Sequence, residues 1–77
     1  MYVLMEGYNI VGSWEYMPEL DDIYLIISSY LDIPEDDIME EYYDLAKLYY
    51  TEQKIYGKKF KLEKLTKERF SEYCYTL

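Results

Sequence analysis

Apolar positions alternate loosely through the first seventeen residues: Tyr2 and Leu4, then Tyr8 and Ile10, are separated by Glu6-Gly7, and Val11-Gly12-Ser13-Trp14 follows. A period of two is that of extended chain, so a strand or short hairpin is predicted, with Gly7 and Gly12 as turn positions. The spacing then changes. Leu20, Ile23, Tyr24, Ile27, Tyr30 and Leu31 recur at steps of three and four, which places them on one stripe of a helix. Met17-Pro18-Glu19 is a suitable start for it, because proline fits a first turn and Glu19, Asp21 and Asp22 lie where the helix dipole favours negative charge. Asp32-Ile33-Pro34 should end this helix and open the next.

The second helix is predicted from about Pro34 to about Gln53. Ile38, Tyr42, Leu45 and Tyr49 line one face, widened by Met39, Tyr43, Ala46 and Tyr50. The opposite face reads Asp37, Glu40, Glu41 and Asp44, which would set four carboxylates within two turns. Gly57 interrupts the pattern, and Phe60 and Leu62 alternating with Lys61 and Glu63 predict a short strand. Thr66 is a candidate cap for a last helix in which Phe70, Tyr73, Cys74 and Leu77 form the apolar stripe. The order of elements points to an α+β fold in a single domain spanning residues 1–77, with an all-helical bundle as the alternative. A chain of 77 residues has room for one core and no second.

Composition narrows the function. There is no histidine, so triads of the Ser-His or Cys-His kind cannot be built and the commonest transition-metal ligand is missing. A two-carboxylate hydrolase would need a substrate cleft beside a stable core, which this length hardly supplies. The chain is therefore expected to have no catalytic site of its own and no cofactor. Cys74 is the only cysteine, which excludes an internal disulfide, and its place on an apolar stripe suits a small hydrophobe better than a reactive thiol. Neither a cysteine-rich metal spacing nor a glycine-punctuated calcium loop is present. The start of the chain lacks the basic and long apolar stretches of a signal peptide, and its longest apolar run, Ile23 to Ile27, is too short to span a bilayer. A cytoplasmic protein with no membrane contact is expected.

Charge gives the strongest indication. The formal net charge is −8, and its distribution is uneven: residues 1–46 hold twelve acidic residues and no lysine or arginine, whereas all eight basic residues follow from Lys47 onward. Crowding of one sign costs stability, so a field of this kind is expected to have a use. Carboxylates spaced along a helix present negative charge much as a phosphate backbone does, and a basic groove would accept them, arginine being the natural counterpart. Asp37, Glu40, Glu41 and Asp44 are the candidate contact residues, with Glu19, Asp21 and Asp22 extending the field and Tyr43 as an exposed aromatic beside it. Tyr50 and Tyr56 are also expected at the surface; Tyr24, Tyr30, Tyr42, Tyr49 and Tyr73 are expected in the core. The stretch from Tyr56 to Lys61 mixes lysines with aromatics as single-strand binders do, but the overall charge would repel phosphate, so direct nucleic-acid binding is not expected.

In size, acidity and tyrosine content the chain resembles the small acidic proteins that phages encode against host defences, anti-CRISPR inhibitors and DNA-mimic anti-restriction proteins among them. The resemblance implies inhibition of a nuclease by occupation of its basic nucleic-acid-binding site. It rests on no motif, so it assigns no residue. A non-catalytic regulatory module, such as an antitoxin, and a subunit that self-associates through its acidic and basic ends are the alternatives, and monomer and homodimer both remain open.

Overall fold

The computed structural model describes residues 1–66, 68 and 69. The chain opens with a hairpin of β1 (Tyr2–Glu6) and β2 (Asn9–Trp14). It turns at Gly7, whose φ of 58° is readily adopted by glycine. Gly12, the other expected turn position, lies inside β2. Its register with β1 slips between Leu4 and Met5, where β2 carries one extra residue as a bulge. A Cβ at Gly12 would stand 2.9 Å from Ile26 Cγ1 and 3.1 Å from Trp14 Cη2, so glycine is there to admit the helix above it.

That helix, α1, runs Leu20–Leu31. The backbone N–H of Glu19 donates to Asp22 Oδ2 at 3.1 Å and satisfies a donor at the helix entrance. Asp32 adopts a left-handed conformation (φ 57°), and Ile33-Pro34 diverts the chain as expected. Ile23, Tyr24 and Ile27 are buried. Leu20 and Tyr30, expected on the same stripe, sit at its exposed margins, Tyr30 at 38% exposure. Tyr30 departs from the expectation of a core residue because its hydroxyl donates outward to Glu6 Oε1 at 2.8 Å while only its ring reaches Phe60.

The second helix is much shorter than its sequence pattern suggests. α2 covers only Glu35–Glu41, and Tyr42 leaves helical geometry with φ −125° and ψ 65°. A turn leads into a 3₁₀ helix, Leu45–Tyr49, and then to β3 (Gln53–Ile55), a strand that begins where the expected helix was to end. Three causes act together. A continued helix would have stacked Asp37, Glu40, Glu41 and Asp44 at repelling distances, with acids near the negative end of its dipole. Tyr and Asp favour helix less than the residues before them. The Tyr42 carbonyl is also taken by the Tyr24 hydroxyl at 2.6 Å, and its own hydroxyl accepts the N–H of Tyr56 at 2.9 Å.

β3 returns through Tyr56-Gly57 into β4 (Lys58–Lys64), and both turn residues have positive φ, 49° and 79°. This is the two-residue hairpin turn whose twist suits antiparallel strands. The sheet is antiparallel throughout, in the order β2-β1-β4-β3. One face carries the main core: Leu4, Ile55 and Phe60 meet Ile23 and Ile27 of α1, Ile38 of α2, and Leu45 and Leu48 of the 3₁₀ helix. On the other face Val3 and Met5 are buried with Leu65 and backed by Met1 and Ile10. The fold is α+β, and the all-helical alternative is excluded by the sheet. Thr66 Oγ1 accepts the N–H of Arg69 at 3.2 Å, the bond expected of a helix cap; the stripe Phe70, Tyr73, Cys74 and Leu77 lies outside the described residues. Among the described residues no helix is long and apolar enough to cross a membrane.

Candidate functional site: an acidic cleft at one end of the sheet

The break after Glu41 rearranges the expected row of carboxylates. Asp37, Glu40 and Glu41 remain together on α2, but Asp44 has left the helix and stands beside Lys47, 3.8 Å from its Nζ. A run of four on one helix face, as the spacing suggested, is thus corrected to three, with the fourth next to a counter-charge on the following turn. Lys47 and Asp44 are both largely exposed, so the pair adds little stability. It does offset the charge of Asp44 locally. Among the described residues no lysine or arginine lies within ion-pair distance of Asp37, Glu40 or Glu41.

What faces these three is Tyr56, on the turn between β3 and β4. Together with Ile33 they line a cleft of about 390 Å³. Tyr56 is fixed from three sides. Its N–H donates to the Tyr42 hydroxyl, its ring meets Tyr42 edge-on at 5.1 Å between centroids, and its hydroxyl reaches the Asp37 carbonyl at 3.4 Å. Its phenol is held above the ordinary tyrosine range, first by partial burial and then by the negative charge of Glu41, with Asp37 and Glu40 adding to it. All three carboxylates therefore act on one phenolic oxygen. A second hollow of about 180 Å³ continues the surface past Glu41 to Tyr43, Asp44, Lys47 and Gln53. Tyr43 stands out from it at 86% exposure.

Glu19, Asp21 and Asp22 form a separate group at the start of α1. Asp22 is engaged in the helix entrance described above, and all three are exposed. Their neighbour is Tyr49, whose hydroxyl donates to the Pro18 carbonyl at 2.7 Å. Burial, followed by the charges of Asp22 and Glu19, raises the Tyr49 phenol. Five of the eight residues singled out in the sequence thus lie near two tyrosines, Asp37, Glu40 and Glu41 at Tyr56 and Glu19 and Asp22 at Tyr49, while Tyr43 and Asp44 line the adjoining hollow.

Sequence reasoning placed Tyr56 at the surface but not in the site, and it named Ile33 only as part of a helix boundary. The available signal was Tyr56-Gly57 between two short alternating runs, which marks a hairpin once the first turn residue is allowed to be aromatic.

The lysines lie elsewhere. Lys59 and Lys61 alternate with the buried Phe60, and Lys54 pairs with Lys59, so these three project from the sheet face opposite the helices. Lys61 is joined there to Glu63 at 3.2 Å. Lys58 and Lys64, paired opposite Ile55 and Tyr2, lie by the same alternation on the helix side, so the charge division along the chain is only in part a division between two faces of the sheet.

Chemically, the cleft offers carboxylates, a phenol and an aromatic edge. That set suits a guanidinium or ammonium group, through charge-assisted hydrogen bonds and contact with a ring. Among the described residues no group of three or more histidine, cysteine, aspartate or glutamate side chains is arranged to hold a metal ion. Comparison of the chain with protein-family models, with curated proteins and with solved structures finds no match.

Proposed function

We propose that this protein acts by binding, without a catalytic centre of its own, and that its target is the basic nucleic-acid-binding site of a nuclease, in the manner of the small acidic anti-defence proteins of phages. The supporting observation is the group of Asp37, Glu40 and Glu41 around Tyr56, which among the described residues has no lysine or arginine within ion-pair distance, while Lys54, Lys59 and Lys61 project from the opposite sheet face. Fixed carboxylates beside a ring match arginine side chains that otherwise hold phosphate. The net charge of −8 would speed the encounter with a basic surface over roughly a Debye length, about 8 Å at physiological salt.

The test is a DNA-cleavage assay against RNA-guided and restriction nucleases, with the wild-type chain and with Asp37, Glu40 and Glu41 together changed to lysine. The wild type should inhibit at least one class of enzyme. The triple variant should lose that inhibition while keeping its circular dichroism spectrum. Equal inhibition by both proteins would overturn the acidic-cleft reading. Excess substrate DNA should relieve inhibition, because the two compete for one site.

A further inference from the structure

The two longest stretches of the sequence without a charged side chain are Gly7 to Trp14 and Ile23 to Leu31. The fold lays them side by side. The first forms the turn and β2, an outermost strand of the sheet, and the second forms most of α1. Ile26 closes over Gly12, and the Asn9 side chain donates to the Tyr30 hydroxyl at 3.4 Å. The result is a flank with no charged residue of its own, bordered by Glu6 on the Tyr30 hydroxyl, on a chain of net charge −8, with Ile26 and Trp14 half-buried along it and Leu25 exposed at 56% on the outer side of α1.

The two edges of the sheet are treated differently. β3 is three residues long, includes Lys54, and turns at once into Lys58-Lys59, which is how natural sheets discourage further pairing. β2 is six residues long and contains neither charge nor proline. Its outer side presents main-chain donors and acceptors that no described strand uses.

We infer that β2 pairs antiparallel with β2 of a second copy, making a two-fold dimer with one continuous sheet and the two α1 helices meeting across the axis through Leu25 and Ile26. The charge pattern selects a second copy as the occupant. A two-fold contact sets a patch against itself, so a charged patch repels its own image and an uncharged one does not. The helix side fails that condition because of its carboxylates, and the lysine face fails it with Lys54, Lys59 and Lys61. The β2 flank meets it. Pairing there also leaves both acidic clefts at the far ends of the combined sheet, since β3 and β2 are at opposite edges. The inference stands independently of what the cleft binds.

Sedimentation equilibrium at low and high salt provides the test. The contact itself is neutral while the rest of the two copies repel, so salt should tighten the dimer by screening that repulsion. Pairing of acidic and lysine faces would respond in the opposite direction. Ser13→Glu on the strand and Leu25→Glu on the helix each place like charges across the axis, and each should raise the dissociation constant about tenfold or more. Leu25 is an exposed helix position and reads the same contact if the strand variant fails to fold. Amide exchange on β2 should be slow in the dimer and quicken in the Leu25→Glu variant. A wild-type chain that is monomeric at every salt and concentration would overturn the inference, as would a dimer that loosens with salt or that survives both substitutions.

Discussion

Tyr56 occupies a backbone conformation, φ 49°, in which a Cβ is crowded and Asn or Gly is the usual occupant. Its ring against Tyr42, its N–H on the Tyr42 hydroxyl and its place in the wall of the cleft are what it offers in return. Tyr56→Asn should relieve left-handed strain and forfeit the aromatic pair with Tyr42. Net stability in denaturant should therefore change little, while target binding falls; a large loss of stability would show that the ring serves the core instead. The same phenol gives a pH test. Partial burial, then Glu41, Asp37 and Glu40, raise its folded-state pKa above the unfolded value. Its contribution to stability is accordingly complete below the unfolded value and is lost as pH rises through the folded one. Tyr30, through Glu6, and Tyr49, through burial, act in the same direction. The loss of stability in alkali should thus begin in the ordinary tyrosine range and be complete only above it. In the Asp37, Glu40 and Glu41 to lysine variant, ultraviolet titration should find a phenol that ionises at lower pH than in the wild type.

At the level of elements, the parts legible in the sequence were those where spacing and local chemistry agreed. The N-terminal hairpin, α1 with its Pro18-Glu19 entrance and Asp32-Ile33-Pro34 exit, and the β4 alternation around Phe60 all follow from neighbours in the chain. The region from Tyr42 to Ile55 was not legible, because an apolar stripe continuing through Leu45 and Tyr49 reads the same whether one helix carries it or a turn, a 3₁₀ helix and a strand do. Distant partners decided it: Tyr24 on the Tyr42 carbonyl, and Tyr56 on the Tyr42 hydroxyl. The site was legible as a set of acidic residues but not as a shape, since its far wall comes from a hairpin that the helical pattern concealed. Tyr42→Phe tests this account, as it retains the ring but leaves the Tyr56 N–H without its acceptor. It should cost about 1–3 kcal/mol if that N–H stays buried. An unchanged denaturant midpoint would mean that water replaces the hydroxyl and that the bond does not hold the hairpin.

Over the whole molecule, charge is sorted into regions: carboxylates on the helix side, three lysines on the opposite sheet face, and a neutral flank along β2 and α1. Such sorting stores repulsion, for like charges lie nearer to one another than they would if interspersed, and the net charge of −8 adds to it. Salt should consequently stabilise the fold, with the melting temperature rising as ionic strength increases from low values and levelling off once the Debye length falls below the spacing of the carboxylates. Reversing Asp37, Glu40 and Glu41 to lysine removes most of the net charge and the local crowding together, so the variant should melt higher than wild type at low salt and lose most of that advantage at high salt. Protein concentration must be held fixed during the comparison, since a dimer melts at a temperature that depends on it. A triple variant that is less stable than wild type at every salt would mean that these carboxylates hold the fold together, through contacts that a lysine cannot replace. The opposite result would identify them as groups retained at a cost to the fold, which is what a binding role for the cleft requires.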